Sequence, residues 1–400
     1  MMRKYILLSM IVGLLGGPCG VLSEICQGDT FTHKTSGQTY HGYAEQDPVN
    51  GKTTIHTTES GPIQVNLAEY TITPDYQGRN KHVVVFTFSD AIESDIITKA
   101  FEKAIVEESN KGPLLIILEI DSPGGRVDLA MRICSAITKT RNCTTAAFIR
   151  GGKNSGAYSA AAAIALACNK IYMSGATVMG AATVVASSEN GIVELERMVG
   201  NNVGEKIRSA WRNYLASLAE QNNRPVALAR AMENKDIEVL RIRRNGKIMY
   251  IESSEKQPTD EIISIYNRKG QLVTLPAQEA VNCSMADKVV SSFEEVLADA
   301  NASDAEIRRP EQMAQAREEL EKIKRKFNQL KNSFDTKVKT LIAKDRNRGM
   351  TLVEAKKSFR EIIQEVKYLI KLKQTYPDVP CEEQELQDLL NSLQAEYDSL

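Results

Sequence analysis

Histidine is scarce in this 400-residue chain: there are four, His33, His41, His56 and His82, and none lies beyond position 82. A serine later in the chain therefore has no histidine after it to act as base, which rules out a Ser-then-His-then-Asp order. The seven cysteines lie far apart and form no CxxC pair. Neither a zinc site nor a thioredoxin-type motif is indicated, and no metal or cofactor is expected. Charge of one sign is not in excess either. The net charge of −1 gives no global field that would select nucleic acid or an anionic membrane. Long apolar runs are also missing: Tyr5 to Leu15, about eleven residues, is broken by Gly16-Gly-Pro18 and is too short for a comfortable bilayer span.

That run has another use. Met1-Met-Arg-Lys4 is basic, the apolar stretch follows, and Val21-Leu-Ser23 offers small residues at −3 and −1. This is the pattern of a secretory signal over 1–23, cut before Glu24, with an uncleaved membrane-associated anchor or a lipoprotein at Cys19 as alternatives. The mature chain is then exported, periplasmic or otherwise extracytoplasmic, and its thiols can be oxidised. Cys134 and Cys143, flanking a helix-to-strand turn, are candidates for a bridge.

Residues 24–75 read as a small β module. Short Thr- and aromatic-rich strands at 29–33, 38–43, 52–57 and 63–67 are separated by Ser36-Gly37, Pro48-Val-Asn-Gly51 and Ser60-Gly-Pro62, which suggests an SH3-like barrel. The three histidines there belong to exposed strand faces rather than to a metal site. Asp75–Lys81 is polar and reads as a linker.

Residues 80–300 alternate strand and helix. His82–Phe88, Leu114–Ile120, Thr144–Ile149 and Asn169–Met173 are strands; Asp90–Glu107, Val127–Thr138 and about Ser159–Ala167 are helices. The alternation predicts an α/β unit with a mainly parallel sheet covered on both faces. The Ser122-Pro-Gly-Gly125 turn and the Ser159 turn fall on one edge of it. An amphipathic helix follows over Gly204–Ala219, with Ile207, Trp211, Leu215 and Leu218 as its stripe. Ile237–Tyr250 and Ile262–Leu275 read as hairpins turning at Asn245-Gly246 and Lys269-Gly270. From 304 to 400 the chain is Lys/Glu-rich, and Met313, Ala316, Leu320, Ile323, Phe327, Leu330 and Phe334 recur every three or four residues. That is a coiled-coil type seam, giving a helical hairpin plus one helix, either self-packed or an arm for a partner.

The chemistry centres on Ser159, at the first turn of an Ala-rich helix where unpaired N–H groups favour developing negative charge. Hydrolysis also needs a base and oxyanion donors; Gly125 N–H and Ala160 N–H are suited to donate. With histidine excluded, a lysine buried enough to lose its charge can serve. Lys206 is the candidate, with Lys153 and Lys170 as alternatives.

Residues 82 to about 300 resemble the Clp/crotonase superfamily, in particular the NfeD-type membrane-associated serine proteases and signal peptide peptidase A. The resemblance rests on Ile120-Asp-Ser-Pro-Gly-Gly125, Tyr158-Ser-Ala-Ala-Ala-Ala-Ile-Ala-Leu166, Gly175-Ala-Thr-Val-Met-Gly-Ala-Ala182, Lys206-Ile-Arg-Ser-Ala with Ser217-Leu-Ala-Glu220, and Gly270–Ala280 with Met285-Ala-Asp287. It implies a Clp/crotonase-like domain in which Ser159 is nucleophile, Lys206 general base, and Gly125 with Ala160 the oxyanion hole. It further implies an oligomeric endopeptidase acting on hydrophobic or membrane-proximal polypeptide segments, with a membrane-protein partner in reach. Where the family has Gly two residues after the serine, this chain has Ala161, and a helical arm replaces the family's transmembrane C-terminus. Those departures motivate the alternative of an inactive scaffold or binding protein. A crotonase-type acyl-CoA enzyme is a third reading, disfavoured because coenzyme A is not expected outside the cytoplasm.

Overall fold

The computed structural model describes residues 29–44, 52–57, 59–73, 80–140, 143–188, 191–346 and 349–400. The expected signal segment lies outside them. Strands β1 (Asp29–His33), β2 (Thr39–Ala44), β3 (Thr53–Thr57), β4 (Gly61–Val65) and β5 (Tyr70–Thr73) form an antiparallel sheet in the order β4-β3-β2-β1-β5. Phe31 and Ile55 are its buried apolar side chains. Among the described residues no pairing joins β4 to β5, so the sheet is open and the expected barrel closure is not observed.

The α/β unit starts with β6 (Asn80–Phe88), so the last two residues read as linker, Asn80 and Lys81, are strand. Helix α1 (Asp95–Ser109), β7 (Pro113–Ile120), α2 (Val127–Lys139) and β8 (Thr145–Ile149) follow. Then come β9 (Gly156–Tyr158), α3 (Ala160–Ala167), β10 (Lys170–Ser174) and β11 (Val178–Gly180). Alternation decides the layering. Val84, Phe86, Ile116, Leu118 and Ile120 face the large core shared with α1, α2 and α3. Val83, Val85, Leu115 and Ile117 face a second core. A strand with both faces buried reads as a near-continuous apolar run, and β7 is buried at every residue, its one charged member Glu119 being paired with Arg309 at 3.2 Å. Cys134 and Cys143 are both buried and no disulfide joins them, so the suggested bridge is not observed.

Beyond β11 lie a hairpin, β12 (Val185–Ser188) with β13 (Gly191–Glu194), then α4 (Leu195–Val199), α5 (Asn201–Gln221) and α6 (Val226–Glu233). The hairpin β14 (Val239–Arg244) with β15 (Lys247–Glu252) turns at Asn245-Gly246 as expected. The second expected hairpin does not form. Strand β16 (Glu261–Asn267) pairs with β14, and β17 (Thr274–Pro276) pairs with β11. Period-two patterning marks a strand but does not name its partner. Helix α7 (Ala277–Asn282), β18 (Lys288–Val290), α8 (Phe293–Asp299) and β19 (Glu306–Arg308) complete the unit. The main sheet has the order β18-β10-β8-β7-β6-β19, parallel throughout.

Helices α9 (Glu311–Arg346), α10 (Leu352–Thr375) and α11 (Glu383–Ser399) form the C-terminal arm. Thr351 and Glu354 make the reciprocal capping box that starts α10. Ile323 and Phe327 of α9 pack with Val366, Leu369 and Ile370 of α10 and with Leu386 of α11, and Ile96 of α1 joins the cluster. The arm is thus packed on itself and on the α/β unit. The contact with α1 is also polar. Asp378, between α10 and α11, accepts from Asp95 N at 2.5 Å and Ile96 N at 3.1 Å. Arg317 of α9 donates to Thr87 O at 2.7 Å.

Candidate active site

Two turns meet at the carboxyl end of the parallel strands, the edge where open α/β sheets present ligand sites. The first follows β7. Ser122 N donates to Gly156 O at 2.8 Å and Tyr158 N donates to Ser122 O at 3.1 Å, so the turn is stitched to β9. Ser122 Oγ donates to Asp90 O at 2.7 Å and accepts from Gly124 N at 3.2 Å. At Gly124, φ is +98°, and a Cβ would come within 2.6 Å of Ser159 Cβ and 2.7 Å of Tyr158 O. At Gly125, φ is +151°, and a Cβ would meet the backbone of Ile92 at 2.5 Å. Both positions need glycine for conformation and for space.

The second turn carries Ser159. It joins β9 to α3 with φ +52° and ψ −121°, outside the regions an ordinary side chain prefers. Such a conformation costs about 1–3 kcal/mol and persists only where the surroundings over-determine it. Here Ser159 N donates to Gly180 O at 2.9 Å, and Ala162 N donates to Ser159 O at 3.0 Å. The Ser159 hydroxyl does not cap α3 and has no hydrogen-bond partner among the described residues. The N–H groups of Gly125 and Ala160 likewise have no acceptor among those residues. A strained serine on a strand-to-helix elbow, with the next residue's N–H unpaired, is geometry suited to an acyl oxyanion. Ala161 lies buried within α3.

Three residues whose part in the site was not foreseen from the sequence hold this edge in place. Asp121, 3% exposed, accepts from Asn154 N at 3.1 Å and Gly156 N at 3.4 Å. Asn154 Nδ2 returns a bond to Asp121 O at 2.7 Å. The signal was an acid directly after a buried strand that is apolar apart from Glu119. Trp211 is the third, donating its Nε1 to Ala182 O at 2.8 Å two residues past Gly180.

No hydrogen bond joins Lys206 to Ser159 among the described residues. Helix α5 buries Trp211, Leu215, Leu218 and Ala219. Lys206 and Leu215 are nine positions apart, about two and a half turns, which puts them on opposite sides. Lys206 is exposed and has no hydrogen bond or ion pair among the described residues. The desolvated amine expected at this position is therefore not seen in the single chain. Ile207, expected in the buried stripe, is also 40% exposed. The polar side of α5 goes elsewhere: Arg208 and Arg212 pair with the fully buried Glu233 of α6 at 2.6 and 3.2 Å. Burial nevertheless holds the Glu233 carboxyl above its ordinary range. Of the alternative bases, Lys153 is exposed, and Lys170 pairs with Asp287 at 3.1 Å. No cluster of three or more metal-ligating side chains occurs among the described residues.

Residues 82–258 match the family model for the NfeD1b N-terminal domain. That stretch is similar to the NfeD1b N-terminal domain. The membrane protein NfeD1b of Bacillus subtilis (strain 168) is 33% identical over 123 residues, which is 31% of this chain. The chain spans about a quarter of that relative, 24% of its length. The NfeD1b segment contains both turns, Ser159 and Lys206, whereas the five-stranded sheet and the helical arm lie outside it. Among solved structures, a mutant of the 1510-N membrane-bound stomatin-specific protease is 20% identical with a TM-score of 0.43, over 58% of this chain and 98% of that one. The 1510-N membrane protease specific for a stomatin homolog from Pyrococcus horikoshii is 18% identical with a TM-score of 0.37, over 58% of this chain and 92% of that one. No helix among the described residues is long and apolar enough to cross a membrane.

Proposed function

We propose that the chain is an exported serine endopeptidase in which Ser159 attacks a peptide carbonyl and Lys206 takes its proton. The observation that carries this reading is the Ser159 elbow, with positive φ, an uncommitted hydroxyl and two N–H donors without acceptors. In the step itself the Ser159 Oγ–C bond forms, the proton passes to the amine, and the carbonyl oxygen becomes an oxyanion held by Gly125 and Ala160 N–H. The amine then returns a proton to the leaving nitrogen as the peptide C–N bond breaks. Water hydrolyses the acyl-enzyme by the same route.

A neutral amine requires removal from water, and the surroundings of Lys206 offer a route to it. Met198, Val199, Val203 and Ile207 on α4 and α5, with Val185 on β12, are 39–57% exposed and apolar. Burying that patch in a homo-oligomer would strip water from Lys206 at the same time. The substrate in this reading is a polypeptide, in a hydrophobic or membrane-proximal stretch; no cofactor, metal or nucleic acid takes part. Labelling by a fluorophosphonate probe tests it: Ser159 is labelled, Ser159→Ala is not, and the rate per chain rises with protein concentration. Failure to label Ser159 at any concentration refutes the hydrolase. The exposure of Lys206 in the single chain favours one second reading, an inactive scaffold that keeps the oxyanion-like pocket, and absent labelling with retained peptide binding is its signature.

A further inference from the structure

A pocket lies between the β15-β14-β16 sheet and helix α7. Arg241 of β14, Tyr250 of β15, Tyr266 of β16, and Glu279 with Asn282 of α7 line it. Arg241 and Tyr250 are directly opposite each other in the β14–β15 pair, so they share a face. Glu279 and Asn282, three positions apart on α7, share a side of that helix. Tyr266 is the extra residue of a β-bulge: Val239 pairs with Asn267 and Leu240 with Ile265, which leaves Tyr266 unpaired. Bulges re-aim side chains, and here the Tyr266 ring meets the Tyr250 ring edge-on, with 5.0 Å between centroids. The pocket encloses about 540 Å³, within the 300–1,000 Å³ typical of ligand sites. None of its five lining residues belongs to either turn of the Ser159 site.

Its charged groups are uncommitted. The Arg241 guanidinium has no hydrogen bond or ion pair among the described residues, and its Nε is buried without an acceptor. The other arginines of the same strand are matched: Arg243 pairs with Glu261 at 2.7 Å and Arg244 with Asp260 at 2.7 Å. The Glu279 carboxylate has no partner among the described residues either. Two opposite charges thus line one pocket without pairing with each other. Tyr266 Oη is buried and also lacks a partner. Its neighbour Cys283 offers only a thiol that burial keeps protonated and that donates to Ala280 O at 3.5 Å, and thiol sulfur is a weak acceptor. Burial raises the pKa of both tyrosines; Arg241 opposes that rise at Tyr250 and Glu279 adds to it at Tyr266. The cation and the anion therefore address different rings.

We infer that this pocket binds a small zwitterion with one free amine and one free carboxylate, an α-amino acid or a short peptide with both termini unblocked. The carboxylate accepts from the Arg241 guanidinium, which suits it in shape and charge. The ammonium donates to Glu279 and to Tyr266 Oη, and an apolar side chain lies on the two tyrosine rings. A ligand of one sign would match one of the two charged groups and leave the other alone, whereas a zwitterion matches both. The interior of a polypeptide chain has neither free terminus, so the pocket suits the products of peptide-bond hydrolysis and not an intact segment. Binding here does not depend on Ser159 being a nucleophile.

The test is isothermal titration calorimetry on the full chain carrying Ser159→Ala, so that no probe is cut, with phenylalanine and the dipeptide Leu-Phe as probes. Saturable binding of one molecule per chain is expected. Equal affinity for the two probes assigns the site to a free amino acid, and tighter binding of Leu-Phe assigns it to a short peptide. The N-acetyl form of the tighter probe, which lacks the ammonium, and its C-terminal amide, which lacks the carboxylate, should each bind at least tenfold more weakly. Added Arg241→Gln should make the amide and the unblocked probe bind alike. Added Glu279→Gln should do the same for the N-acetyl form. Glu279 is exposed, so its variant decides if Arg241→Gln unfolds. No saturable binding of either probe, blocked forms that bind as tightly as unblocked ones, or a Glu279→Gln chain that still discriminates against the N-acetyl form tenfold overturns the inference.

Discussion

Replacing Asp378 by alanine should loosen the start of α1 and release the arm from it. The first four N–H groups of a helix lack intrahelical partners, and in α1 three of them are met from outside. Ser94 Oγ accepts from Ile97 N at 3.1 Å, and Asp378 accepts from Asp95 N and Ile96 N. A half-buried carboxylate at this position gains from two charge-assisted bonds and from the positive end of the helix. Caps of this kind are worth about 0.5–2 kcal/mol, and the two bonds with the added charge place Asp378→Ala near the top, at about 2 kcal/mol. Asp378→Asn keeps one acceptor but loses the charge, so about half that loss is expected. Native-state hydrogen exchange reads the effect directly. At about 1.4 kcal/mol per tenfold, the amides of Asp95 and Ile96 should exchange about thirtyfold faster in Asp378→Ala. Those of Ile116 and Ile117, buried in the central strand, should change little. Unchanged exchange at Asp95 and Ile96 would refute the cap, and a uniform rise across β7 would mean global destabilisation instead.

Gly124→Ala puts a methyl group within 2.6 Å of Ser159 Cβ in a backbone conformation that disfavours it. A displacement of the elbow by a fraction of an ångström should slow probe labelling about a hundredfold. Gly246→Ala, also at positive φ but with open space around it, should cost only about 1 kcal/mol and leave labelling intact. His82 is 1% exposed with neither ring nitrogen bonded. Burial, helped by Arg308 and Lys111 and opposed by Glu108 and Glu306, lowers its pKa below the usual 6.5. Folding therefore favours the neutral ring. That contribution is complete above about pH 6.5 and is lost as pH falls toward the lowered value. Urea midpoints should drop between pH 7 and 5 in the unaltered chain and drop less in His82→Leu; parallel curves would exclude the histidine.

What could be read from the residues was whatever depends on local periodicity. The strands at 82–88 and 114–120 declare themselves because a two-faced parallel strand is apolar at nearly every position, His82, Thr87 and Glu119 apart. The Ser159 elbow shows as a Gly-containing turn into an Ala run, and the α9 seam as a repeat of three and four. Pairing across the chain was not legible. Nothing in Glu261–Asn267 says that its partner is β14, nor in Glu306–Arg308 that it joins the edge of the main sheet beside His82. Asp378 reaches a helix 283 positions earlier, a contact with no local signature. Lys206 shows the same limit at the site. Its residue type suits a base, but the phase of α5 is set by burying Trp211 and Leu215, and that phase turns the amine outward.

The most direct test of the Ser159–Lys206 chemistry is amine rescue of probe labelling, measured on associated protein. Lys206→Ala should label Ser159 at least a hundredfold more slowly, and added propylamine should restore part of the rate, with no effect on Ser159→Ala. Labelling of Lys206→Ala at the unaltered rate, indifferent to added amine, would contradict the dyad.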